Sequence, residues 1–333
     1  MRVTVTGGSG HIGANLVRAL LASGHRVTVL HRSRCRSLAD LDVTHVHGDV
    51  RDAGPVERSV AGADAVFHLA ARVSIEGDRD GAAREINVGG TVQVTRACLR
   101  AGVERLVHFS SIHALEHDPW DQPLDETRSL VDEARAPAYH ASKAASERVV
   151  AEAVRDGLDA VVVCPTAVLG PQDHEPSALG GVVLKIASRR LLALVDAGFD
   201  WVDVRDVVAG SIAALERGRR GERYLLSGRW AHFRDLAGAV ATAAGVSTPR
   251  LASPLWLARL SAPFAMGLAR LTGAPAHVTL DSIETLRTSH RAIRHDKAAR
   301  ELGYTARPLA ESAADTVAWF REAGLLGPRR SPA

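Results

Sequence analysis

Thr6-Gly7-Gly8-Ser9-Gly10-His11-Ile12-Gly13 follows an apolar β-branched run, Val3–Thr6, and leads into a helical pattern over Ile12–Ser23. A strand that turns within a few glycines into a helix has few ways to continue. Gly7, Gly10 and Gly13 permit a tight turn, close approach of a pyrophosphate to the backbone, and close packing of helix on strand. The N–H groups and dipole of the new helix then face the anion. Gly7, Gly10, His11, Ile12 and Gly13 are therefore expected to hold a dinucleotide, in the first crossover of a parallel sheet.

The rest of the first half repeats that rhythm. Strands are expected at Arg26–Leu30, Val43–His47, Ala65–Leu69, Arg105–Ser110 and Ala160–Cys164. Helices are expected at Pro55–Val60, Ala82–Ala101 and Ala138–Arg155. The strands read as near-continuous apolar runs, as in sheets covered on both faces. The expected fold class is α/β: a Rossmann-type doubly wound parallel sheet over 1–165, to which later segments can return. After Pro165, loops rich in Pro and Gly separate shorter elements. Residues 166–327 read as a smaller, mostly helical substrate lobe, and 328–333 as a tail.

Composition narrows the function classes. The chain of 333 residues is 46% hydrophobic and 24% charged, with a net charge of +3. That is ordinary for a soluble globular protein and too nearly neutral to indicate a nucleic-acid partner. Cys35, Cys98 and Cys164 form no CxxC pair, so neither a disulfide framework nor a metal site is expected. The longest apolar run, Ala160–Gly170, is too short for a membrane span. Leu255–Leu271, broken by Pro263 and Gly267, reads as a packed cap or interface helix. A cytoplasmic protein without membrane or nucleic-acid partners is expected.

The chain has three tyrosines and three lysines, yet Tyr139 and Lys143 stand four residues apart. On a helix over 137–156 they share one face. A lysine ammonium there favours phenolate and is expected to pull the tyrosine below its usual pKa of about 10. Such a phenol suits reduction of a carbonyl or oxidation of an alcohol. Cofactor choice is read at the end of the second strand, where a carboxylate would bind the ribose of NAD. This chain has Leu30-His31-Arg32-Ser33-Arg34 instead. Arg32, with Ser33 or Arg34, suits a 2′-phosphate, so NADP(H) is expected over NAD(H), which stays open.

With these motifs in place, the chain resembles the extended short-chain dehydrogenase/reductases over nearly its whole length. It is most similar to their dihydroflavonol-reductase-like bacterial branch. The resemblance also rests on Gly48-Asp49-Val50, His68-Leu69-Ala70-Ala71, Ile86-Asn87-Val88-Gly89-Gly90-Thr91, Phe109-Ser110-Ser111, Cys164–Pro171 and Trp201–Val207. It implies that Ser111 holds the substrate oxygen, that Tyr139 gives or takes the proton, and that Lys143 holds the nicotinamide ribose. Ser110 is expected to point to the other face of its strand. Asp49, Val50, Leu69, Ala70, Ala71, Asn87, Pro165 and Val168, with Tyr139 and Lys143, are expected to line the cofactor cleft. Asn87 is either structural support or directly relevant to catalysis, and Asp206 is expected to order a loop. His113 and Trp201 are candidate substrate contacts, followed by Phe199, Asp173 and His174. The resemblance further implies a homodimer through 82–101 and 138–156.

Three functions compete. The first is an NADPH-dependent reductase of a ketone or aldehyde, with a small carbonyl or alcohol substrate of neutral, partly hydrophobic character. The second is a nucleotide-sugar epimerase on retained NAD, weakened by the missing carboxylate after the second strand. A dehydratase is less favoured, because Ile112 follows Ser111 where that branch has an acid. The third is a catalytically silent NADP(H)-sensing module, disfavoured by the presence of serine, tyrosine and lysine together.

Overall fold

The computed structural model of the protein describes residues 1–32, 36–73, 78, 81–191, 193–249, 251–254, 286–287 and 289–327. Ser33, Arg34, Cys35, the Leu255–Leu271 segment and the 328–333 tail lie outside the described residues.

The N-terminal half alternates as its apolar periodicity requires. The order is β1 (Arg2–Thr6), α1 (His11–Ala22), β2 (Arg26–His31), β3 (Thr44–His47), α2 (Ala53–Val60) and β4 (Ala65–His68). Next come α3 (Ala82–Arg84), a π turn (Glu85–Gly89), α4 (Gly90–Ala101), β5 (Arg105–Phe109), α5 (Ala138–Arg155) and β6 (Ala160–Pro165). The helix expected at 82–101 is thus helical throughout but carries a π turn around Asn87. Such turns are frequent at functional sites.

The later elements are β7 (Ala167–Leu169), α6 (Ala178–Ala187), β8 (Ala193–Val195), β9 (Gly198–Asp203), α7 (Val204–Arg217), β10 (Arg223–Leu226) and β11 (Arg229–His232). After them come α8 (Phe233–Ala244), β12 (Leu251–Ser253), α9 (Asp296–Leu302) and α10 (Leu309–Glu322). Among the described residues, the main sheet has the order β10-β6-β5-β4-β1-β2-β3, and every pairing in it is parallel. Its seventh strand, β10, comes from beyond residue 165, as do α7 and α9 that pack beside it. The main sheet thus takes in a segment from beyond residue 165, as the reading of 1–165 with later segments returning allows.

Strand alternation explains why the strands are mainly apolar on both faces. Val3, Val5, Val29, Phe67, Val107, Phe109 and Val163 meet Leu16 and Leu20 of α1 and Val207 and Ala214 of α7. Leu30, Val66, Leu106, Val162 and Cys164 face the other way, onto Val56 of α2, Val94 and Cys98 of α4, and Val150 of α5. Both faces are covered, so both sets are mainly apolar, and buried polar members such as Thr4, Thr6 and His68 are hydrogen-bonded.

The smaller lobe has a three-stranded sheet, β11-β9-β7, and a β8–β12 pair. Leu169, Val183, Ile186, Trp201, Leu236, Val240, Val317 and Phe320 fill its core with α6, α8 and α10. Asp206 of α7 accepts from Arg307 N at 2.8 Å and Nε at 2.9 Å. It orders the α9–α10 connection, the loop role expected of it. Among the described residues, no helix is long and apolar enough to cross a membrane.

Candidate active site

The glycine turn is built by contacts that leave no room for side chains. Gly7 has φ of +73°, and a Cβ there would lie 2.6 Å from Ala70 N, so both conformation and space demand glycine. At Gly13 a Cβ would fall 2.2 Å from Gly7 O. Gly10 is different: its absent Cβ would meet only Gly7 O, at 3.5 Å, and otherwise opens onto free space. Gly10 caps α1 with no side-chain hydrogen bond and no acid in the first turn. Free helix N–H groups behind an open glycine fit a pyrophosphate. His11 Nε2 is 3.0 Å from Pro171 O, which also accepts from Asn15, so the first turn of α1 is tied to the second lobe. Ile12 packs into the core below.

Leu69, Ala70 and Ala71 continue from β4 directly beside this turn, and Ala70 N donates to Thr6 Oγ1 at 3.3 Å. Val50 is buried, and a Cβ on Gly90 would strike it at 2.8 Å. Asp49 accepts from Arg51 N at 2.9 Å and from its side chain at 3.0 Å. Arg51 holds the Asp49 carboxyl below the usual range. Arg32 stands just past β2 with an exposed side chain, its Nη1 3.9 Å from Asp49 Oδ2. Pro165 ends β6, paired with Leu226 of β10, and Val168 of β7 packs against the main core.

Ser111, Tyr139 and Lys143 gather at the carboxyl end of β5. Ser111 is buried, and its Oγ caps the short turn at Ile112–Ala114, accepting from His113 N at 3.3 Å. Its hydroxyl also acts on the Tyr139 phenol, favouring the ionised form. Lys143, one turn further along α5 and 5% exposed, donates from Nζ to Phe109 O at 2.8 Å. Serine, tyrosine and lysine thus converge as the sequence suggested. The expected depression of the tyrosine is not what the site shows. Burial pushes the Tyr139 phenol up to about 12, with the Ser111 hydrogen bond pulling the other way. Lys143 points to a carbonyl of β5, and burial outweighs any pull it exerts. Lys143 itself is drawn down to about 8 by burial, against upward pulls from Cys164 and Glu147. At neutral pH this pairs a protonated phenol with an ammonium, the form a proton donor needs.

Ser110 continues the alternation of Leu106 and His108 and faces α5, where its Oγ donates to Glu147 Oε1. Asn87 is a brace: Oδ1 accepts from Arg72 N at 2.7 Å, while Nδ2 donates to Arg72 O and to Ser142 Oγ at 3.1 and 2.8 Å. Ser142 Oγ in turn donates to Tyr139 O at 2.8 Å. Asn87 therefore positions the turn that carries the tyrosine.

His113 lies beside Tyr139, ring centroids 6.4 Å apart, and stacks on His140 at 4.5 Å with 10° between planes. Burial first, then the neighbouring imidazoles, hold His113 well below the usual histidine value. His140 is drawn down to about 4 by burial and by His117. The stack is therefore neutral at pH 7. It also has a stability consequence. A histidine with a depressed folded pKa contributes stability above 6.5 that is lost as pH falls through about 4. Thermal melts from pH 7 to 4 are expected to show Tm falling in the wild type, and less steeply in His140→Phe.

Trp201 is placed elsewhere. It is 3% exposed, its Nε1 donates to Ala231 O at 3.0 Å, and Phe199 and Phe233 pack edge-on against it. Trp201 and Phe199 thus belong to the lobe's core. Asp173 accepts from Ser177 N and Oγ, at 2.9 Å to Oδ2, and Ser177 in turn caps α6 by accepting from Gly180 N at 3.1 Å; His174 bonds Gln172 at 2.9 Å. Sequence reading did not single out Glu147 or Arg223, whose side chains meet at 2.5 Å. The i+4 spacing from Lys143 to Glu147 was the available signal.

The family described as NAD dependent epimerase/dehydratase matches residues 3–227. Sterol demethylase protein B of Methylococcus capsulatus is 37% identical, covering 98% of this chain and all of its own length. A putative dihydroflavonol 4-reductase of Synechocystis is 33% identical over 97% and 95% of the two chains. A 4-hydroxy-2-methyl-3-oxo-4-farnesyl-3,4-dihydroquinoline-1-oxide ketoreductase of Stigmatella aurantiaca is 30% identical over 100% and 99%. Among solved structures, gox2253 superposes with a TM-score of 0.84 at 33% identity, covering 98% and 99%. DesIV, a dTDP-glucose 4,6-dehydratase of Streptomyces venezuelae with NAD bound, gives 0.77 at 28% identity over 99% and 100%. With two thirds of the chain matched and relatives aligned from end to end, the protein belongs to the NAD dependent epimerase/dehydratase family, within the extended short-chain dehydrogenase/reductases.

Proposed function

We propose that the protein is an NADPH-dependent reductase of a ketone or aldehyde, running reversibly as an alcohol dehydrogenase. The observation that carries this reading is the gathering of Ser111, Tyr139 and Lys143 at the carboxyl end of β5, on the same edge of the parallel sheet as the glycine turn after β1, with Tyr139 held as a phenol. The Gly7–Gly13 turn would hold the pyrophosphate, and Lys143 the nicotinamide ribose. Bound NADPH supplies the hydride. Ser111 Oγ–H donates to the carbonyl oxygen and orients it, and Tyr139 Oη–H delivers the proton as that oxygen becomes an alkoxide. Burial of Ser111 and Lys143 favours a site that excludes water and strengthens these contacts. The His113–His140 stack supports a neutral, partly hydrophobic substrate. The relatives named as reductases and a ketoreductase agree with this class.

Arg32 supports NADPH over NADH, since it follows β2, where a carboxylate would be needed to bind the ribose of NAD, and its guanidinium is exposed. Arg32→Glu is expected to weaken NADPH binding about 10- to 100-fold, by loss of a charge-assisted contact and addition of repulsion. Fluorescence titration should show NADH binding changed far less. Equal losses for both cofactors would remove Arg32 from the phosphate site.

Incubation with NADPH and a panel of apolar ketones and aldehydes tests the reaction. Steady oxidation of NADPH supports the reductase. Conversion of a nucleotide-sugar without added cofactor, and no consumption of NADPH, would instead establish epimerisation.

A further inference from the structure

We propose that the buried Glu147–Arg223 ion pair acts as a positioning device that sets the charge state of Lys143 from behind. Lys143 and Glu147 are i and i+4 on α5, one above the other on the face that begins with Tyr139. Lys143 is 5% exposed and Glu147 4%. Arg223, which reaches in from β10, donates from Nη2 and Nε to Glu147 Oε2 at 2.5 and 2.8 Å. Ser110 donates to the other carboxylate oxygen, and Cys164 Sγ lies 3.7 Å from it. Thus the strand-end serine next to Ser111, the edge strand of the sheet and the catalytic helix all meet on one carboxylate.

An ion pair in this position is a weak source of stability, because desolvation offsets its attraction. Its sign and place matter more. An anion one turn behind a buried ammonium favours the charged lysine, while Arg223 behind that anion limits the effect. The other groups facing this corner act less directly. His108 of β5 and His68 of β4 are buried and held neutral. Cys164 of β6 is pushed up and stays a thiol. Glu126, from the loop before α5, accepts from Leu225 N at 2.9 Å on the far side of Arg223. Lys297 of α9 reaches Arg223 O at 2.7 Å and pairs with Glu222 at 2.6 Å. Tyr139, on the near side, is a neutral phenol.

The two charges must then act on Lys143 in opposite directions. Loss of the carboxylate leaves Arg223 repelling the ammonium, and loss of the guanidinium leaves an unshared anion. This proposal rests on the reading of Lys143 as the ribose-holding cation of a reductase, but its test does not need turnover. The chain has three lysines, Lys143, Lys185 and Lys297. The full-length protein labelled with 13C at lysine Cε gives three resonances, assigned by substitution of each lysine and titrated by NMR. Glu147→Gln is expected to lower the Lys143 midpoint by about one pH unit. Arg223→Met is expected to raise it, and Arg223→Lys to leave it in place. Since Arg223→Met strands a buried carboxylate, the double variant Glu147→Gln/Arg223→Met is titrated beside it and should lie above Glu147→Gln alone. Midpoints that stay fixed, that move in the same direction in both single variants, or a double variant at or below Glu147→Gln, would overturn the proposal. The alkaline limb of kcat/KM should follow the midpoint. Midpoints that move as expected under an unmoved limb would uphold the electrostatic link and sink the ribose-holding role of Lys143.

Discussion

Tyr139→Phe is expected to lower kcat by about 1,000-fold while NADPH binding changes little, because the substitution removes one proton donor and almost no volume. The phenol is the acidic group that the Ser111 hydroxyl acts on, and the other hydroxyls of α5 are committed elsewhere: Ser142 Oγ to Tyr139 O and Asn87, Ser146 Oγ to Asn87 O and Ser142 O. The loss should appear in single-turnover rates with saturating cofactor, which separates chemistry from binding. Retained NADPH affinity by fluorescence titration would show that the cradle at Gly7–Gly13 is intact. A Tyr139→Phe enzyme that keeps wild-type kcat would assign the proton to another group. The pH dependence has a definite sign. Lys143 is drawn down to about 8, so carbonyl reduction should hold steady below pH 8 and decline above it as the ammonium is lost.

Ser111→Ala is expected to cost about 100- to 1,000-fold in kcat, comparable to removal of one preorganised donor from a developing oxyanion. The two substitutions act on one oxygen, so the double variant should lose much less than the product of the single losses. Ser110→Ala provides the contrast. Its hydroxyl is bonded to Glu147, not to Tyr139, so its effect should reach catalysis only through the α5 corner. A larger kcat loss in Ser110→Ala than in Ser111→Ala would exchange their roles.

Local chemistry made much of this site legible in the sequence. The glycine spacing placed Gly7 and Gly13 at positions where a side chain would collide with backbone, a constraint that acts over a few residues. Helix α5 spans the Ala138–Arg155 range that its pattern suggested, and its i, i+4 geometry brings Lys143 to the end of β5. Parts that depend on distant packing were not legible in the same way. Arg223 meets Glu147 across 76 residues of sequence, through a strand that rejoins the first sheet. Trp201 carries a ring suited to either substrate or core, and only the contacts of Phe199, Phe233 and Ala231 decide for the core. The Tyr139 phenol moved upward and not downward because spacing reveals a charge partner but says nothing of burial. Asn87 shows both sides. Its place in a helix was readable, whereas the π turn and its hold on Arg72 and Ser142 arise from the fold.

The central claim is that Ser111, Tyr139 and Lys143 serve hydride reduction of a carbonyl drawn from exchangeable NADPH. The most direct test is to react the wild-type protein with NADPH deuterated at nicotinamide C4, each face in turn, and a carbonyl substrate identified from the apolar panel. Mass spectrometry should find one deuterium on the product carbinol carbon from one face only, with NADP released once per alcohol formed. Product without deuterium from either face, or turnover of a substrate with no net consumption of NADPH, would contradict it.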